Sequence, residues 1–122
     1  MPDWETVREI ATKLPEVEEH ALYGGHPALR VRGKLFAWMS PKREAEGVFV
    51  LRVDRDEKRL ILESNPDVYF ETPHYSGYPA VLVNLDRIDR EELVERIEDA
   101  WLIQAPKRLA AQYRDGSSPG RP

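Results

Sequence analysis

Six basic side chains, Arg30, Arg32, Lys34, Lys42, Arg43 and Arg52, fall within the stretch "ALRVRGKLFAWMSPKREAEGVFVLRV" at residues 28–53. Guanidinium and ammonium groups gathered this densely are the chemistry of anion recognition, and against a nucleic acid they neutralise phosphates without reading bases. His74 and Tyr75 in "TPHYSGYP" first suggest a role in organising their loop, and together with Lys107 and Arg108 after Pro106 they also have the group types of a small anion or ligand site. Free N–H groups in a helical first turn at 107 would add to it. Catalytic chemistry finds no such support. Gly33-Lys34 is not a phosphate loop, because Ala28 stands where the first glycine is needed and Leu35 where Ser or Thr would hold magnesium. H-E-x-x-H does not occur, and no nucleophile, base and orienter form a set. His20 and His26, with Glu18 and Glu19, flank a diglycine but lack a metal-ligand spacing. The expectation is a non-enzyme with no metal and no cofactor.

The elements that must position these groups follow from length, charge and pattern. The chain has 122 residues, 41% of them apolar and 33% charged, with no cysteine and a net charge of −4. That size fits one domain, and the absence of cysteine fits a reducing, cytoplasmic setting. The N-terminal stretch is acidic and amphipathic, unlike a signal peptide, and no apolar run approaches the ~20 residues of a membrane span. Charge is unevenly spread: residues 30–59 hold nine bases and five acids, while the segments on either side are each acidic. A local positive field on an acidic molecule is the consequence.

Asp3 is placed to cap a first helix carrying Val7, Ile10, Ala11 and Leu14, which Pro15 ends. Strands are expected at 17–23, 28–32, 35–39, 48–53 and 80–85, the last central because both of its faces are apolar. "VYFET" (68–72) reads as a brief extended segment. A short helix spans 54–66, capped by Asp54 or Asp56 and stopped at Asn65-Pro66. Asp89 and Glu92 begin a closing helix with Leu93, Val94, Ile97, Ala100 and Trp101 on one side, and Pro106 breaks or restarts it. The expected fold is α+β in two layers: an antiparallel sheet of five to six strands with helices mainly on one face, in α-β4-α-β2-α order. Residues 1–113 form the single domain, and 114–122, rich in Gly, Pro and Ser, a disordered tail.

If Gly33-Lys34 is the turn of the first hairpin, Leu29, Val31, Phe36 and Trp38 share a core face with Phe49, Leu51 and Val53. The opposite face then gathers Arg30, Arg32 and Arg52 around Leu35, Ala37, Met39, Val48 and Val50, an apolar patch fringed with arginine that suits a contact surface. A helix or loop of the same chain covering part of it is the competing reading. A slip of one residue would exchange the two faces.

The order "LRVRGKLFAWM", "VFVLRV" before a short helix, "VYFETPHYSGYPAVLVNLDRID" and "EELVERIEDAWLIQAPKRLAAQY" resembles the MmcQ/YjbR-like family over about residues 3–113. The family's Gly-Lys turn matches Gly33 and Lys34, whereas Tyr78-Pro79 stand where it usually carries Trp before the late strand. The resemblance implies a fold similar to secretion chaperones and frataxin-like proteins, and a double-wing mode of DNA binding in which hairpins act as wings. It supplies no catalytic residues. The sequence therefore leads to weak, poorly selective DNA binding by Arg30, Arg32, Lys34, Lys42, Arg43 and Arg52. The alternative is a protein-interaction or self-association module using the arginine-fringed sheet face. Metal handling by Asp3, Glu5, Glu9, Glu16, Glu18 and Glu19, by frataxin-like analogy, ranks below both, since six acids spread over helix and strand read as a solvated face. An acidic pI of 5.4 weighs against DNA.

Overall fold

Asp3 starts the first helix through a reciprocal cap. In the computed structural model, which describes residues 2–116, its carboxylate accepts from the Thr6 amide at 3.0 Å, while Thr6 Oγ1 accepts from the Asp3 amide at 3.3 Å. The elements then run α1 (Trp4–Ala11), β1 (Val17–Ala21), β2 (Pro27–Val31), β3 (Lys34–Met39), β4 (Phe49–Arg52), α2 (Lys58–Ser64), β5 (Tyr69–Phe70), β6 (Ala80–Val83), α3 (Arg90–Gln104) and α4 (Lys107–Gly116). All six strands join one antiparallel sheet in the order β1-β2-β3-β4-β6-β5. The expected α+β class and element order are as observed. β6 is buried along its whole length, as its two apolar faces require.

One face of the sheet carries the main core. Leu29, Val31, Phe36, Ala37, Phe49, Leu51, Val81 and Val83 meet Val7, Ile10 and Ala11 of α1, Ile61 of α2, Leu93, Ile97 and Trp101 of α3, and Leu109 and Ala110 of α4. Three local expectations are corrected here. Val94 lies on the exposed side of α3 rather than in its buried stripe. Neither Asp54 nor Asp56 caps α2, whose N-cap is Glu57; Asp54 instead accepts from the Asp56 amide in a turn before the helix. Helix α4 continues to Gly116, three residues into the expected tail, and 117–122 lie outside the described residues.

The hairpin register is the correction with most effect. The β2–β3 turn is Arg32-Gly33, not Gly33-Lys34: Arg32 and Gly33 have φ of 50° and 82° and Val31 pairs with Lys34. Two consecutive left-handed residues are the geometry of a type I′ turn, whose twist matches its strands. Beyond Arg30–Leu35 the ladder shifts, because Phe36 is an extra residue, and pairing resumes at Leu29–Ala37 and Ala28–Trp38. This bulge keeps Phe36 in the core, brings Ala37 and Met39 to the same side, and turns Trp38 to the opposite face. The carboxamide of Gln104, at the end of α3, donates to the carbonyl of Leu35 beside the bulge at 2.9 Å.

Arginine is a costly residue at a left-handed turn position, and Arg32 is bound there by Glu16, itself at φ 56°. The ion pair is exposed and weak by nature. Arg32→Asn, which creates the favoured Asn-Gly turn, is therefore expected to raise the urea midpoint by about 0.5–1 kcal/mol of stability, and Arg32→Val to lower it by about 1–2 kcal/mol. A loss of stability in the Asn variant would show that the pair with Glu16 outweighs the backbone cost.

Candidate functional site

Consecutive hairpins of a meander share their middle strand, so their tips lie at its two ends. Lys34 is at one end of β3 and the Lys42-Arg43 tip at the other. Six residues of strand separate them by roughly 20 Å. At the far tip, Glu44 accepts from the His74 amide at 2.8 Å and Glu46 sits 3.3 Å from His26 Nε2, so acids are interleaved with Lys42 and Arg43. Arg32 is held by both oxygens of Glu16, which pulls the Glu16 carboxyl below the usual carboxylate range and pushes the arginine up. The fold thus does not bring the six hairpin bases to one surface.

The second face of the sheet is not open, contrary to expectation. Ala28, Trp38, Val50, Ala80 and Leu82 are buried beneath Ala45 of the β3–β4 loop and Tyr75 of the β5–β6 loop. Loops do here what helices do on the other side. They are tied together by Ser40 Oγ and Tyr75 Oη, 2.7 Å apart and buried, and by the Glu44–His74 bond. Lys58 holds the second loop from below. Its ammonium donates to the carbonyls of Tyr75 and Tyr78, both at 2.7 Å, and pairs with Glu71 at 2.8 Å.

Toward the β2–β3 end of this face the residues become basic. Arg30 and Arg52 point out on the same side, half-buried, two strands and so about 10 Å apart. Each has a buried Nε that finds no hydrogen-bond partner among the described residues. The Arg52 guanidinium lies 5.8 Å over the Tyr78 ring, a cation–π distance. Tyr78 meets Trp38 and Tyr75 edge-on at 6.4 and 6.1 Å. Beyond Tyr78 a cleft of about 370 Å³ opens between the β5–β6 loop and α2, with Arg55, Lys58 and Arg59 on its walls. Because Gln104 ties the end of α3 to Leu35, the exposed Lys107 and Arg108 follow within a few residues of the same end.

His74 and Tyr75 do not join them. Both belong to the loop layer, bonded to the far tip, while α4 packs on the helix side through Leu109 and Ala110. The six acids named for metal handling are likewise dispersed: Asp3 caps α1, Glu16 binds Arg32, and Glu19 binds Arg8 at 2.6 Å. A wider depression of about 580 Å³ beside α3 is lined by Asp89, Glu91, Glu92, Glu95 and Asp99. Next to it, burial and then the hydrogen bond to Glu92 push the Tyr69 hydroxyl up to about 12. Among the described residues no cluster of His, Asp and Glu is placed to hold a metal ion, and no helix is long and apolar enough to cross a membrane.

The YjbR family model matches residues 12–103, three-quarters of the chain. The chain belongs to the YjbR family. Uncharacterized proteins of Mycobacterium tuberculosis (Rv2570) and Mycobacterium bovis (Mb2600) are each 36% identical to this YjbR chain over 128 aligned positions, covering 93% of it and 96% of themselves. The crystal structure of the Deinococcus radiodurans protein DR2400, with a DUF419 domain, superposes with a TM-score of 0.73 over 100% of this chain and 96% of its own, at 18% identity. That likeness concerns the fold alone.

In this YjbR chain the residues that sequence reading missed are Arg55, Lys58, Arg59 and Tyr78. The four-residue run "DRDE" before Lys58 masks the bases by alternation, and the segment reads as an ordinary solvated helix start. A signal was nonetheless available, since residues 52–59 hold four bases within eight positions.

Proposed function

We propose that this YjbR-family chain is a nucleic-acid-binding module rather than an enzyme, and that it contacts DNA with the β2–β3 end of its sheet instead of with two wing tips. One observation carries the reading: Arg30, Lys34, Arg52 and Arg55 lie toward that end of the sheet, Lys107 and Arg108 follow Gln104 near it on the helix side, and among the described residues none of the six makes an ion pair. Guanidinium groups without partners retain their capacity for phosphate oxygens. The protein-interaction alternative needs an open apolar sheet face, and the loops already occupy it.

Contact is electrostatic and poorly selective. With about four phosphates neutralised, the log–log salt slope is expected near −3.6, and the affinity at physiological salt near or weaker than ~10⁻⁴–10⁻⁶ M, since the acidic remainder repels the polyanion. Anisotropy titrations of a labelled duplex at several salt concentrations test this. Replacing the exposed Lys34, Lys107 and Arg108 by alanine is expected to flatten the slope by up to about three units, and replacing Lys42 and Arg43 to leave it nearly unchanged. Absence of binding at low salt, or an equal effect from the second set, overturns the reading.

A further inference from the structure

We propose that the cleft beside Tyr78 takes one unstacked nucleotide, so that single-stranded nucleic acid is the preferred ligand; this deepens the nucleic-acid reading above and rests on it. Three features of the cleft converge. Its aromatic wall is fixed in direction: Tyr78 is held by Trp38 and Tyr75 edge-on and by Arg52 over the ring, yet stays 40% exposed. A rigid, partly exposed ring is a stacking platform that accepts any base. The volume of about 370 Å³ is open rather than enclosed, and Leu62 adds apolar surface to its lining.

The cations divide by duty. Lys58 is fully engaged by two carbonyls and Glu71, so it shapes the cleft and is not free to bind a ligand. Arg55 spends one Nη on the carbonyl of Gly77 at 3.0 Å, which orients the guanidinium and leaves its remaining donors for a phosphate. Arg59 is largely exposed at the mouth, with only a long 3.4 Å contact to Glu63. Arg52 over the Tyr78 ring, with Arg55 and Arg59 lining the cleft beside it, supplies cations for the phosphates flanking a stacked base. A duplex cannot use this wall, because its bases are already stacked and paired.

The test compares a labelled oligothymidylate of about 12 nucleotides with a duplex of equal length by anisotropy at low salt. Wild type is expected to bind the single strand several-fold tighter. Tyr78→Ala should weaken single-strand binding about tenfold while duplex binding stays as in wild type, and Tyr78→Phe should retain the preference. Preserved duplex binding in Tyr78→Ala also shows that the variant is folded. Competition by free thymidine monophosphate at similar concentration would assign the cleft to the nucleotide itself; its failure to compete would assign it to the strand. Duplex binding equal to or tighter than single-strand binding, or a Tyr78→Ala variant with unaltered preference, overturns the nucleotide cleft alone. No binding of strand, duplex or nucleotide overturns both this inference and the reading it rests on.

Discussion

Trp101→Ala is expected to lower stability by about 3–5 kcal/mol, the cost of truncating a fully buried aromatic side chain. Trp101 is 0% exposed in α3. Its ring packs 5.0 Å from that of Tyr113 in α4, and its indole N–H donates to the Pro15 carbonyl at 3.0 Å. One side chain thus joins α3, α4 and the connection from α1 to β1. Truncation leaves a cavity at this junction and orphans the Pro15 carbonyl. Trp101→Phe keeps most of the packing and loses the hydrogen bond, so it should fall between wild type and alanine. Urea unfolding followed by far-UV circular dichroism checks the series, and an alanine variant within about 0.5 kcal/mol of wild type would mean that the helix layer does not depend on this residue.

Lys58→Met should cost about 2–4 kcal/mol, because removal of one partner leaves Glu71 and two carbonyls without their common donor. The side chain of Lys58 is only 11% exposed, so water does not readily take over. Glu71 is more open, at 37%, which keeps the figure below that of a fully buried pair. The damage should be local. The β5–β6 loop loses its anchor, so limited proteolysis is expected to cut at 73–78 in the variant under conditions that leave wild type intact. An unchanged urea midpoint together with unchanged proteolysis would show that the Ser40–Tyr75 and Glu44–His74 contacts hold the loop unaided.

What the sequence could and could not reveal follows from where its patterns are informative. β2 alternates apolar and basic residues, and the structure places Leu29 and Val31 inward and Arg30 outward, as that alternation demands. "LFAWM" is apolar throughout, so it contains no register information, and the bulge at Phe36 left no trace in it. A single glycine also fits two turn geometries, one with glycine first and one with glycine second. The fold chose the second and accepted arginine in a left-handed position. The covering of the second face rests on pairs 30 and 35 residues apart, Glu44–His74 and Ser40–Tyr75. Nothing local marks such residues as partners. For the candidate site, Arg30 and Arg52 were legible because strands dictate direction. That Arg55, Arg59 and Tyr78 share a cleft was not, because a loop of 73–78 and the first turn of α2 had to fold against each other to form it.

The three tryptophans fall on different sides of the sheet: Trp4 and Trp101 belong to the helix layer, and Trp38 lies under the loops. Intrinsic fluorescence therefore contains two spatially separate reporters in one unlabelled molecule. Trp4 is half-buried from the start and Trp101 fully buried, so acrylamide quenching of Trp38 added to the constant contribution of Trp4 would register the loops lifting off by themselves, on a timescale and at a free energy below those of global unfolding. Bound ligand at Tyr78, whose ring touches Trp38 edge-on at 6.4 Å, would be visible through the same indole.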